Sequence, residues 1–330
     1  MTTDYFQPNP IIVKIISEIE EIILKNEKKF RLPANYLITE ILLHLLQYSE
    51  KDLYNNGYGL NIKLLREECE YLASIVKNKI DSLPKTFINQ VQKPKPDSKI
   101  TIENDLFFEL TSQNKKIPLI FKEVTPQIGF LIQTKLHYMG CPRNDTLFHF
   151  GLFREDQKYP FAYVAYSVLD RNYLWNHLPI KPDMDQILVL TRAFNLNSAP
   201  YNTMTKLIGS SLQYVKQKIP ANNFQAVITC INPNLMFRGT IFKAANFYPF
   251  ATVPFEPLYH QGLYVTRKTC LTLFNTESRD QLLTKHYLRS NQIPCQPYVW
   301  MGRGFSPKVT KIFKDNQSIQ KISRYEYRQG

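Results

Sequence analysis

The sequence predicts an α/β (α+β) chain: a mixed sheet flanked by helices, preceded by a small helical domain. Three observations predict it. Residues 10–83 carry apolar side chains at helical spacing. From about residue 103, apolar runs of strand length alternate with helical stretches. Between the two lies the Pro- and Lys-rich segment 84–100, where Lys93-Pro94-Lys95-Pro96 favours an extended path and sets a domain boundary. A length of 330 residues suits about two domains of ordinary size.

In the first part, Ile11, Ile12, Ile15, Ile16, Ile19, Ile22 and Ile23 form one helical stripe, with Pro10 suited to its first turn. A second helix starts after Pro33 and carries Leu37, Ile41, Leu42, Leu45 and Leu46; Asn55-Asn56-Gly57 is a turn signal. A third runs through Leu64, Leu65, Tyr71, Leu72, Ile75 and Ile80. Residues 1–83 thus read as a bundle, either a reader of DNA or a packing unit.

In the second part, Leu106–Leu110 and Pro118–Glu123 read as strands, and Thr125-Pro126 open a helix running to His137. Leu147–Phe153 and Phe161–Leu169 are apolar runs broken by a charged stretch, the pattern of a hairpin. Gln186–Phe194 is a strand, Asn202–Gln217 a helix, and Phe224–Ile231 a buried strand. Leu235–Asn246 reads as a helix, with Tyr248–Val253 and Leu258–Thr266 as closing strands. The unit spans 101–274, followed by a basic C-terminal extension, 275–330. Lys308, Lys311, Lys314, Lys321, Arg324 and Arg328 cluster there, either as a backbone-binding arm or as a solvated tail.

Composition narrows the function. The formal net charge of +13 points to a polyanionic partner: DNA, RNA or an acidic membrane surface. Only 11 glycines disfavour a dinucleotide fold built on glycine-rich turns. The five cysteines are widely spaced and form no CxxC pair, which fits reduced thiols in a cytoplasm and shows no zinc-ligand pattern. No signal peptide or membrane-spanning apolar run is evident.

The order of elements from about 117 to 268 is similar to the GNAT fold, in which the fourth and fifth strands splay around an acyl donor. By that likeness Gln186–Phe194 is the fourth strand and Phe224–Ile231 the fifth. The next helix start would hold the donor's anionic part on backbone N–H groups. The stretch from Arg192 to Thr203 departs from the usual pattern, since no glycine appears before Gly209.

A narrower set of motifs is carried in order over roughly 130 residues: His137-Tyr138-Met139-Gly140, Leu190-Thr191-Arg192, Pro200-Tyr201-Asn202, Ile231-Asn232-Pro233, Gly239-Thr240-Ile241-Phe242 and Ala244-Ala245-Asn246-Phe247. Together they resemble phage Mom-type DNA adenine modification (methylcarbamoylation) proteins. The resemblance implies transfer of a small acyl-derived group to the exocyclic amine of adenine, with acetyl-CoA or a related acyl donor as cofactor and DNA as partner. A GNAT-type transferase acting on tRNA or a protein amine is the alternative, and a non-catalytic nucleic-acid-binding module the second. At two positions the chain departs from the family: Asn232 stands where the family has Asp, and Phe242 where it has Tyr. Asn cannot act as a base, and Phe cannot donate a proton.

The implied catalytic pair is His137 and Asn232. His137 can exchange a proton or simply pack against its helix end. Asn232 can bind a base edge or carbonyl, or make an ordinary strand-to-helix turn. Arg192, Ser198, Asn202, Thr203 and Thr205 are the cofactor-binding candidates. Arg192 either faces a phosphate or pairs with Asp183 or Asp185, and Asn202 either caps its helix or serves the donor. Tyr138, Arg238, Lys308, Lys311, Lys314 and Arg324 are the nucleic-acid-binding candidates.

Overall fold

The computed structural model describes residues 6–26, 34–55, 59–218, 223–316 and 318–323. The first helix, α1 (Pro10–Lys25), is set by Asn9, whose side chain accepts from the Ile11 N–H at 2.8 Å. Its isoleucines at 12, 15, 19, 22 and 23 are buried, as their spacing predicts. Next come α2 (Ala34–Leu45), α3 (Glu50–Leu53) behind a Ser49/Asp52 capping box, and α4 (Ile62–Asp81) capped by Asn61. Helices α1, α2 and α4 pack on one another. Asn56 and Gly57 of the turn signal lie outside the described residues.

The segment 84–100 differs from the extended path expected. It contains α5 (Lys85–Val91), because Phe87 and Val91 lie one helical turn apart and no proline intervenes before Pro94. Phe87 is buried and stacks on Tyr159 with ring centroids 4.3 Å apart, and Gln90 donates to the Tyr159 carbonyl. The prolines act only after Lys93, and the chain then enters β1 (Ser98–Glu103).

Strands β2 (Leu106–Thr111) and β3 (Lys116–Glu123) follow, then α6 (Pro126–Lys135). Thr125 stands at the N-cap of α6 but makes no side-chain capping bond, and the helix ends two residues before His137. The apolar runs form the hairpin β4 (Phe148–Arg154) and β5 (Ala162–Val168). Helix α7 (Asn172–Asn176), β6 (Ile187–Asn195), α8 (Thr203–Lys218) and β7 (Ala226–Ile231) come next. Then come α9 (Thr240–Ala244) and β8 (Tyr248–Val253).

The single helix expected over Leu235–Asn246 is broken. A 3-10 turn at Pro233–Leu235 stops at Met236, which takes a left-handed φ of 62°, and α9 starts only after Gly239, itself left-handed. The closing strands expected over Leu258–Thr266 leave the main sheet. They are β9 (Leu258–His260) and β10 (Leu263–Val265) of a separate three-stranded sheet.

The described residues beyond 274 are more than an appendage. After α10 (Arg267–Phe274) they supply α11 (Arg279–Thr284), β11 (Arg289–Ser290), β12 (Tyr298–Gly304), α12 (Pro307–Asp315) and β13 (Gln320–Lys321). The main sheet has ten strands in the order β1-β2-β3-β4-β5-β6-β7-β12-β8-β13, so β12 is an interior strand. It pairs antiparallel with β7 on one side and β8 on the other. The run Val299-Trp300-Met301 is buried on both faces, as an interior strand must be.

Alternation along β6 and β7 divides the core. Leu188, Leu190 and Val227 join a cluster with the N-terminal helices and with Leu207, Ile208 and Leu212 of α8. Ile187, Val189 and Ile228 face the other way, onto Leu174, Phe250 and Phe313. No helix among the described residues is long and apolar enough to cross a membrane.

Candidate functional site

The site follows from where two neighbouring strands stop pairing. Strands β6 and β7 run parallel, and their register covers only Ile187–Leu190 against Ala226–Thr229. Beyond that point β6 stays with β5, pairing Arg192 to Ala165 and Asn195 to Ala162. Strand β7 stays with β12, pairing Cys230 to Trp300 and Ile231 to Val299. The two strand ends therefore part, and the gap between their paths, the slot, has Arg192 on one side and Cys230 on the other. An irregularity between β5 and β6 places Thr191 out of register, and its hydroxyl donates to the Ala165 carbonyl at 3.2 Å.

The loop after α6 reaches both walls. His137 is 9% exposed, and its ring stacks on Tyr138 with centroids 4.6 Å apart. Tyr138 lies within electrostatic range of Cys230 on β7 and Arg192 on β6. Burial holds His137 well below its ordinary pKa, and the neighbouring Arg192 pushes the same way. Its Nδ1 accepts from the Met139 N–H at 3.2 Å, so in the neutral ring Nε2 carries the proton and is the donor. Burial raises the Tyr138 phenol and the Cys230 thiol, keeping both protonated.

Arg192 is 8% exposed and pairs with neither Asp183 nor Asp185. Asp183 instead caps the 3-10 turn Met184–Gln186. The guanidinium donates to the carbonyls of Thr191 and Cys141, each at 2.8 Å, and its Nε has no partner within the protein. Burial lowers its pKa, Tyr138 opposes that, and Arg143 adds like-charge repulsion. A cation this buried and met only by carbonyls suits an anion or a carbonyl oxygen arriving in the slot.

Asn232 ends β7 at 2% exposure. Its Oδ1 accepts from the Asn234 N–H at 3.1 Å and from Asn234 Nδ2 at 2.9 Å, while its own Nδ2 has no partner within the protein. Asn234 is fixed in turn by exchanging bonds with the Gln296 backbone, both at 2.8 Å. The Asn232 carboxamide is thus oriented as a donor. Beside it, exposed Phe237 lies with its ring 6.0 Å from Tyr138, and Arg238 next to it is exposed.

The start of α8 frames an open depression of about 480 Å³ lined by Asn195, Asn197, Tyr201, Asn202, Thr203 and Thr205, with Lys95 and Thr240 at its edge. Asn202 sits here with a left-handed φ of 64° and accepts the Lys206 N–H on its carbonyl. The Thr203 hydroxyl is taken up by the Pro200 carbonyl at 2.6 Å. Ser198 is buried, with no partner for its Oγ within the protein. Lys95 lies 4.1 Å from the Tyr201 ring centre.

The structure also brings in residues that sequence reasoning missed. Gln133 of α6 donates to the Tyr163 hydroxyl at 2.8 Å, and that hydroxyl lies 2.6 Å from His149 Nδ1. Gln133 Oε1 accepts the Arg143 N–H at 2.8 Å. This buried chain links α6, β4 and β5 behind Arg192, which lies within electrostatic range of Tyr163. The one sequence signal was Gly129, a glycine inside an apolar helix in a glycine-poor chain. A Cβ there would sit 2.3 Å from His149 Nδ1.

Lys308, Lys311 and Lys314 do not join the slot. They are exposed on α12, which starts beside Gly304, the end of β12 that pairs with Ala226 at the start of β7. Arg324 lies outside the described residues.

No curated protein matches the chain. The model of the Mom protein family matches residues 118–296. That span runs from β3 to the loop before β12 and includes His137, Tyr138, Arg192, the start of α8 and Asn232. The match covers more than half of the chain and contains every wall of the slot, and on that ground the chain belongs to the Mom protein family.

Proposed function

We propose that the protein modifies DNA by transferring a small acyl-derived group to the exocyclic amine of adenine, on a GNAT-like scaffold. The observation that carries this reading is the parting of β6 and β7 beside the start of α8, with His137, Tyr138 and Arg192 gathered at the gap. Family membership supports DNA as the target, and the net charge of +13 suits a phosphate backbone.

The residues present fit an acyl donor. Backbone N–H groups at the start of the 16-residue helix α8, with Thr205 and Lys95 nearby, would hold its anionic portion. A bound donor supplies the electrophilic carbonyl. Arg192 and the free Nδ2 of Asn232 are buried donors on opposite strand ends, suited to charge developing on an oxygen between them. The neutral His137 orients through Nε2, and burial keeps Tyr138 a phenol. The target adenine has to leave its base pair to present its amine, and exposed Phe237 and Arg238 flank the mouth where it would enter. Digestion of DNA from cells making the protein, followed by nucleoside mass analysis, is expected to reveal a mass-shifted deoxyadenosine. Unshifted nucleosides despite soluble protein would refute the reading.

A second reading is favoured by one specific observation. Asn232 is fixed as a donor and His137 Nδ1 is engaged, so among the described slot residues no carboxylate or free imidazole nitrogen stands ready as a base. On this second reading the chain is a nucleic-acid-binding module without turnover. It predicts salt-dependent DNA binding with unmodified nucleosides.

A further inference from the structure

Past the end of helix α11 two wider bonds continue the chain: the His286 N–H donates to the Gln281 carbonyl at 3.3 Å, and the Leu288 N–H to the Leu282 carbonyl at 3.1 Å. Between them Tyr287 takes a left-handed φ of 54°. Glycine is the usual occupant of such left-handed backbone, because a bulky side chain there strains it. Folding returns nothing for the strain, since Tyr287 is 86% exposed while its neighbour Leu288 is buried and anchors the turn. A bulky aromatic held in an unfavourable conformation and left in solvent points to a ligand.

The surroundings say which kind. Lys285 and Arg289 flank Tyr287 and are exposed, while acidic Asp280 lies at the opposite end of α11. The Phe274 ring lies 4.9 Å from His286 and 5.1 Å from His260, so a bank of rings supports the turn. The unit is tied to the slot as well. Lys268 of α10 donates to the Pro142 carbonyl at 2.7 Å, and the preceding carbonyl, that of Cys141, holds Arg192.

We propose that Tyr287, with Lys285 and Arg289, is a stacking platform for an unpaired base of a DNA strand. The proposal rests on the reading of DNA as the target. An adenine whose amine is to be modified leaves the stack, so the protein has unstacked DNA to hold. An exposed ring face takes any base, and flanking cations take the phosphates.

The test is fluorescence anisotropy of a labelled oligothymidylate and of a duplex of equal length. It compares the intact chain with Tyr287→Phe, Tyr287→Gly and the pair Lys285→Gln with Arg289→Gln, alongside melting temperature and sedimentation. The single strand is expected to bind the intact chain and Tyr287→Phe equally, and Tyr287→Gly about tenfold more weakly. Tyr287→Gly should melt no lower than the intact chain, because glycine relieves the left-handed turn. The double variant should bind with a shallower salt dependence. Equal binding by Tyr287→Gly overturns the platform, as does a change confined to self-association. Adenine modification, measured separately, keeps the two readings apart. Modification without single-strand binding overturns the platform alone. Platform binding without modification supports it and overturns the transferase reading.

Discussion

Arg192 is a buried guanidinium held only by carbonyl oxygens, and that decides what its loss should do. Arg192→Met removes the uncompensated charge but leaves two carbonyls without that donor, at about 1–3 kcal/mol each, so it is expected to lower unfolding free energy by no more than about 6 kcal/mol. Modification should fall at least about 100-fold if the guanidinium meets developing charge. Denaturant titration and nucleoside yield check the two halves separately. His137 and His149 are both held neutral by burial, below their ordinary value of 6.5. Unfolded, each binds a proton more readily than folded. Their contribution is thus complete above about pH 6.5 and is lost as pH falls from there toward the folded values. Melting temperature should drop between pH 7 and 5, and His137→Gln should flatten that slope. A slope unchanged by the substitution would show that His137 is not held neutral. His137, Tyr138, Arg192 and Asn232 were singled out through the ordered motifs that resemble the Mom family rather than through any pattern of their own. Tyr163 and His149 were not, because each occupies a strand position that any core aromatic could fill. Only Gly129, on another element, marks how closely α6 approaches.

At the scale of elements, the strands between β2 and β8 and the helices α6 and α8 were legible because each is a long patterned run bounded by turn signals; the five-residue α7 and the break before α9 were not. The elements missed are short or depend on distant partners. Helix α5 was hidden by the prolines that follow it, and β12 by two glycines that weaken its strand signal. Those glycines have a packing reason. A Cβ on Gly304 would lie 2.5 Å from the Thr310 backbone nitrogen, so α12 closes directly over the strand. Gly304→Ala should cost about 1–3 kcal/mol by overpacking, read as a lower denaturation midpoint at constant slope. Phe87→Ala should cost about 3–5 kcal/mol, because a fully buried ring is removed from its stack on Tyr159. A loss below 1 kcal/mol would mean that α5 is not part of the core.

For the whole molecule, the family match ends at residue 296, immediately before the strand that completes the sheet. Strand β12 carries the pairing between β7 and β8, so the far wall of the slot is held in place by chain beyond the matched region. A chain truncated at residue 297 should lose soluble expression; a soluble truncation with intact circular dichroism would show β12 to be dispensable. The N-terminal helices bear on the same wall: the Tyr259 hydroxyl donates to the Leu43 carbonyl at 2.7 Å, and the Gln292 N–H to Leu46 at 2.9 Å. Nothing in the sequence pattern revealed these long-range ties, since each ends on a backbone carbonyl that any residue carries. The most direct test of the slot as the place of adenine modification is the nucleoside mass profile of DNA from cells making either the intact chain or Arg192→Met, at equal soluble levels. The expected result is a mass-shifted deoxyadenosine with the intact chain and none with the variant. Shifted deoxyadenosine with both, or with neither, would contradict it.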